Sequence, residues 1–116
     1  MRIIFLALTT ILITVTGQAA TLQPGWKNVT QILTWEDKFG QCMIAIEGYT
    51  GSSECNGGWA TLDCQGSFVS KSIASRNLEL AQMSIALNSK VYTRIDESRK
   101  HNGYCLVYQM QLLNEN

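Results

Sequence analysis

One stretch, Ser70 to Lys90, carries a sustained helical period in a chain whose remaining segments are short and alternating, and it fixes the order in which everything else must be arranged. At roughly 100° per residue, Ala74, Leu78, Ala81 and Ile85 fall on one narrow stripe suited to face a core. Ile73, Leu80, Met83 and Leu87 form a second apolar stripe, flanked by Ser75, Glu79 and Gln82 on one side and by Asn77 and Ser84 on the other. A helix that covers one small core needs only one such stripe. The second is therefore either greasy surface or a contact with a further surface, most simply another copy of the same chain. Ser70 or Ser72 is placed to cap the helix start, and Asn88-Ser89 marks its end.

The chain begins with Arg2, an apolar run from Ile3 to about Val15 interrupted by Thr9, Thr10 and Thr14, and then Gly17-Gln18-Ala19-Ala20. This is the three-part layout of a secretory signal peptide, with cleavage after Ala19 or Ala20. The run is short for a membrane span, which takes about 20 apolar residues. Residues 1–20 are thus read as a signal and residues 21–116 as a single domain of about 96 residues, enough for one core.

One of the nine basic residues, Arg2, belongs to the leader, and nine acidic residues face the rest, so the mature part is nearly neutral. Neutrality and export both argue against nucleic acid as a partner. Cys42, Cys55, Cys64 and Cys105 all lie in the mature part, and an even count in an exported chain favours two disulfides. They contain no close pair and His101 is the only histidine, so neither a metal site nor Cys-x-x-Cys redox chemistry is expected. No cofactor is implied. The expected pairing is Cys42 with Cys55 and Cys64 with Cys105, unless the second and third strands form a regular hairpin that sets Cys42 opposite Cys64.

Along the mature chain, residues 21–25 read as an irregular arm around Pro24. Strands are expected at Asn28–Trp35, Cys42–Tyr49 and Trp59–Cys64 before the helix, and at Val91–Ile95 and Tyr104–Leu112 after it. Asp96 to Gly103 reads as a charged turn, with His101 solvated in it, and Asn114 to Asn116 as a frayed tail. The fold is then mostly β with one long helix, in the order β-β-β-α-β-β. That is the order of a five-stranded OB-fold barrel, here stapled by disulfides. An open α+β sandwich has the same order.

The words Ile46-Glu47-Gly48, Ser52-Ser53, Cys55 and Trp59, followed by the helix and Lys90-Val91-Tyr92, resemble the B subunits of AB5 toxins of the subtilase-cytotoxin and broader pertussis type. The likeness covers roughly residues 42–95; Lys100-His101-Asn102-Gly103-Tyr104-Cys105 has no counterpart in it. It implies a secreted OB-fold module that assembles as a homopentameric ring around a helix-lined pore, binds cell-surface glycan, and works beside a separate catalytic A subunit. The second apolar stripe, Ile73, Leu80, Met83 and Leu87, agrees with such an assembly.

No nucleophile with a base and no paired carboxylates stand out, so no catalytic role is expected. For binding, sugars stack their apolar faces on aromatic rings while amides, hydroxyls and carboxylates meet their hydroxyl groups. Trp26, Trp35, Trp59, Tyr49, Tyr92, Tyr104 and Tyr108 are the available rings. The glycine-rich segment after the second strand brings Tyr49, Ser52, Ser53, Glu54 and Asn56 forward as glycan-contacting candidates, with Trp59 beside them. The competing expectation is a monomeric periplasmic or secreted domain that binds another protein.

Overall fold

The computed structural model describes residues 20–114 and, ahead of them, residues 4, 7, 9 and 10. The expected signal segment and the last two residues of the tail therefore lie almost wholly outside the described residues. The elements are β1 (Thr21–Leu22), β2 (Trp26–Lys27), β3 (Val29–Thr34), a 3-10 turn (Phe39–Gln41), β4 (Cys42–Ile46), β5 (Trp59–Thr61), α1 (Lys71–Leu87), β6 (Val91–His101) and β7 (Tyr104–Leu112). Among the described residues the chain is mostly β with one helix, as expected from the sequence.

The hydrogen-bonded path through the sheet runs β1-β6-β7-β5-β4-β3, with β2 also paired to β6. All pairs are antiparallel except β5 with β7, where Thr61 stands opposite Leu106. The two ends of this path, β1 and β3, do not pair with each other. The sheet is open, and the closed five-stranded barrel expected above is not formed by these ladders.

Two stretches read as irregular are strand. The arm makes two short ladders, Thr21 and Leu22 against Asp96 and Ile95, and Trp26 and Lys27 against Tyr92 and Val91. The charged stretch Asp96 to His101 continues β6 to a two-residue turn at Asn102 (φ 54°) and Gly103 (φ 85°), a pair suited to tight hairpins. The register shifts between Asp96 and Lys100, where Asp96 turns its carboxylate onto the Ser98 N–H, the Ser98 hydroxyl and Arg99. That bulge leaves residues 97–99 without a ladder partner on β7, between Asp96 opposite Leu106 and Lys100 opposite Cys105.

Ser70 caps α1 through its hydroxyl, which accepts from the Ile73 N–H at 3.1 Å. Asn88 ends it in the left-handed region (φ 50°). The buried face is Ala74, Asn77, Ala81 and Ser84, with Leu78 and Leu80 packed at its margins. This corrects the expected core stripe, because Ile85 is 43% exposed, and it divides the second stripe, because Leu80 joins the core while Ile73, Met83 and Leu87 stay exposed. Asn77 and Ser84 lie between the two apolar stripes on the helical wheel. The helix thus seats on a seam of small and polar residues, and both stripes become its flanks.

The core joins Val29, Ile44, Ile46, Ala60, Leu62, Val91, Ile95, Val107 and Met110 with three of the cysteines. All five residues of β4 are buried, as suits a strand covered on both faces. The disulfides are Cys42–Cys64 and Cys55–Cys105. Neither bridge of the first expected pattern, Cys42–Cys55 or Cys64–Cys105, is formed. β4 and β5 make the regular hairpin that sets Cys42 near Cys64, with Met43 opposite Thr61 and Ile44 opposite Ala60.

Candidate functional site

The segment 50–58 is a compact loop strapped down at three points. Gly51 takes a positive φ (72°), and a Cβ there would lie 2.2 Å from the Cys55 carbonyl, so only glycine allows the chain to fold back this closely. Cys55 is bridged to Cys105, the Asn56 N–H donates to the Gly103 carbonyl at 2.9 Å, and Lys100 Nζ donates to the Glu54 carbonyl and carboxylate at 3.1 and 3.2 Å. Ser52 spends its hydroxyl on the Glu54 N–H.

Of the six sequence-derived ligand candidates, Ser52, Ser53, Glu54 and Asn56 therefore gather, exposed, against the β6–β7 turn. Trp59 is half-buried on β5, opposite Ala45. Tyr49 leaves the group and enters the core at 7% exposure, with its hydroxyl unpartnered. Burial, and secondarily the charge of Glu97, push that phenol's pKa above its ordinary value.

A concavity lies on the other side of Tyr49, between the arm and the turn that follows β4. A hollow of about 280 Å³ is walled by Leu22, Gln23, Pro24 and Lys27 from the arm and by Gly48, Tyr49, Thr50 and Gly51 from the turn. A second, of about 390 Å³, shares Lys27 and Gly48 with it and adds Trp26, Asn28, Glu47 and Lys90. Local structure explains the polar rim. Glu47 donates its N–H to the Asn28 carbonyl, and its carboxylate accepts from Asn28 Nδ2 at 3.1 Å, so the carboxylate is oriented at the edge of the hollow.

Trp26 is 40% exposed and meets Tyr92 edge to face, with ring centroids 5.5 Å apart. The Tyr92 hydroxyl is hydrogen-bonded in turn to the Gln23 side-chain carbonyl. An exposed indole held by a second ring, with two lysines, a carboxylate and amides around it, can stack on an apolar ring face and satisfy hydroxyl groups at its edge. Trp26 and Tyr92 are among the rings the sequence offers for binding, whereas no motif in the sequence marks Gln23, Lys27 and Lys90 as ligand contacts. The available signal was the aromatic and basic pair Trp26-Lys27 directly after Gly25.

A third cluster sits at the opposite end of β6. His101 does not lie in a solvated turn, because its side chain is 15% exposed and Nε2 is 2.8 Å from Oδ1 of Asp63, which is fully buried. Asp63 also accepts from the Phe68, Val69 and Ser67 N–H groups at 2.6, 3.0 and 3.2 Å. Burial alone would raise its pKa, but the hydrogen bonds from Val69, Phe68, His101 and Ser67 outweigh it and hold the carboxyl below its ordinary range. Both carboxylate oxygens are occupied, which makes the cluster a knot tying β6 to the loop before α1.

Among the described residues no three His, Cys, Asp or Glu side chains converge as a metal site, and no helix is long and apolar enough to cross a membrane. Comparison with protein-family models, with curated proteins and with solved structures returns no significant match.

Proposed function

We propose that the chain is a secreted, non-catalytic binding module that takes carbohydrate in the paired hollows beside Trp26. The observation that carries this reading is the partly exposed indole, braced by Tyr92 and bordered by Lys27, Lys90 and the Asn28–Glu47 pair. The site assigned is the arm face. The glycine-rich loop contributes only its Thr50–Gly51 edge there, through the Tyr49 wall.

An OB-like architecture is part of the proposal. It is supported by the one parallel pairing, between β5 and β7, and by the pairing of β2 with β6 one residue before β3 begins. Together these bring the first and fourth strands of the expected order side by side, as a partly open OB barrel requires. Assembly into a ring of copies, as in a toxin-type B subunit, would use the exposed α1 flank of Ile73, Met83 and Leu87.

The test is a glycan array probed with the oxidised mature protein, with Trp26→Ala alongside. Binding that Trp26→Ala abolishes supports the reading; absence of binding across sialylated and neutral glycans overturns it. The same α1 flank favours a second reading, a monomeric domain whose ligand is a protein. One stable protein partner recovered together with no sugar binding selects that reading instead.

A further inference from the structure

The N-terminal arm ends opposite a carboxylate that meets no cation among the described residues. Glu97 is half-buried, and its carboxylate makes no hydrogen bond or ion pair with any described residue. The charged residues beside it in sequence are committed elsewhere: Asp96 to Ser98 and Arg99, Arg99 also to the face of Tyr108, and Lys100 to Glu54, while the buried Tyr49 phenol, which carries no positive charge, feels the Glu97 carboxylate. The antiparallel register that sets Thr21 opposite Asp96 brings Ala20 alongside Glu97, and the Glu97 N–H donates to the Ala20 carbonyl at 3.3 Å.

Among the described residues, Ala20 is the first that β6 binds. A cut after Ala20 would discard the carbonyl that Glu97 binds, whereas a cut after Ala19 would keep it. The sequence agrees, because small residues are wanted at the first and third positions before the cut. Gly17 and Ala19 satisfy that rule for the Ala19–Ala20 bond, while a cut one residue later puts Gln18 at the third position.

We propose that hydrolysis of the Ala19–Ala20 bond is the maturation step of this protein, and that Glu97 holds the ammonium it creates on Ala20, locking the arm onto β6. An endopeptidase of the export pathway supplies the reaction. Water adds its oxygen to the Ala19 carbonyl carbon, the C–N bond breaks, and Ala20 leaves with an amino group that is largely protonated at neutral pH. The lock matters because Leu22, Gln23, Pro24 and Lys27 of the same arm wall the hollow over Tyr49. Two ladders of two residues each are otherwise little to hold that wall closed.

The proposal rests on the export reading, and the experiment separates the two. The full chain is expressed in a bacterial export host and the intact mass of the exported product is measured, with a start at Ala20 expected. An uncut product overturns the export reading along with the proposal, and a start at Thr21 overturns the proposal alone.

Amide hydrogen exchange over residues 21–27 is then compared among the mature protein, its Nα-acetylated form, Glu97→Gln, and the acetylated Glu97→Gln variant. Each single change is expected to speed exchange about three- to fivefold, with no further increase when they are combined. Unchanged rates, or two effects that simply multiply, would overturn the ion pair while leaving the export reading standing.

Discussion

Nε2 of His101 lies 2.8 Å from Oδ1 of Asp63 across 38 residues of sequence, and the pair closes around the backbone of the 3-10 turn. With Asp63 ionised the carboxylate only accepts, so Nε2 carries the proton and donates. The turn leaves no slack. Gly40 has φ 68°, and a Cβ there would meet Thr61 Oγ1 at 2.5 Å and His101 Cδ2 at 2.6 Å. The Thr61 hydroxyl completes the knot by donating to the Phe39 carbonyl and accepting from the Asp63 N–H.

Asp63→Asn should therefore be among the most destabilising single changes. The amide keeps the volume but replaces one accepting oxygen with a donor in front of backbone N–H groups. The expected loss is about 2–4 kcal/mol, read as a lower urea midpoint at unchanged slope in the oxidised protein.

The same carboxylate sets an acid limit. Its pKa is lower in the folded chain than in the unfolded one, so its contribution is fully present above the unfolded value. It is lost as pH falls through the folded value, which lies below the unfolded one. Asp96 adds in the same direction: burial would raise its pKa, but Ser98 and Arg99 together lower it. Urea midpoints measured down the acid range should fall for the native sequence and fall less steeply for Asp63→Asn; parallel curves would remove Asp63 from the account.

Much of this fold was legible because it is local. The helix ends follow from Ser70 and Asn88, and the strands on either side follow from alternation over a few residues. The failures are of a different kind. Asp96 to Gly103 looked like a turn because its charges outweighed the Asn102-Gly103 pair, although that pair is the stronger hairpin signal. The arm looked irregular because its order comes from β6, some 65 residues away in the ladder of Trp26 with Tyr92. Tyr49 stands beside a glycine-rich loop in the sequence, yet a ring at that position serves the core as readily. No local pattern could pair His101 with Asp63.

Trp26→Ala tests the binding face with little risk to the fold, since the ring is 40% exposed and touches Tyr92 at its edge. Saccharide affinity should drop about tenfold or more, while the thermal midpoint moves by no more than a few degrees. Equal loss of both would show that the indole serves packing and not ligand.

The α1 flank is tested by mass. Native mass spectrometry of the mature protein should give a multiple of the chain mass, with five copies expected of a ring. Met83→Glu with Leu87→Glu should return it to one copy. Both side chains are about half exposed or more, so their effect on the stability of a single chain should stay within about 0.5 kcal/mol each. A native sequence that already runs as one copy at micromolar concentration sinks the assembly.

The two bridges interleave: Cys55 lies within the segment that Cys42 and Cys64 enclose, and Cys64 lies within the one that Cys55 and Cys105 enclose. A chain threaded N-terminus first into an oxidising compartment offers Cys42 and Cys55 to each other before the true partner of either has emerged, and short loops close readily. Any bridge made at that stage must be undone by thiolate attack and exchanged. Cys105 arrives last, so the correct covalent pattern is available only when almost the whole chain has crossed. If the chain is exported in this way, the spacing of its four cysteines would make its oxidative folding depend on thiol–disulfide isomerisation as much as on the stability of the finished fold.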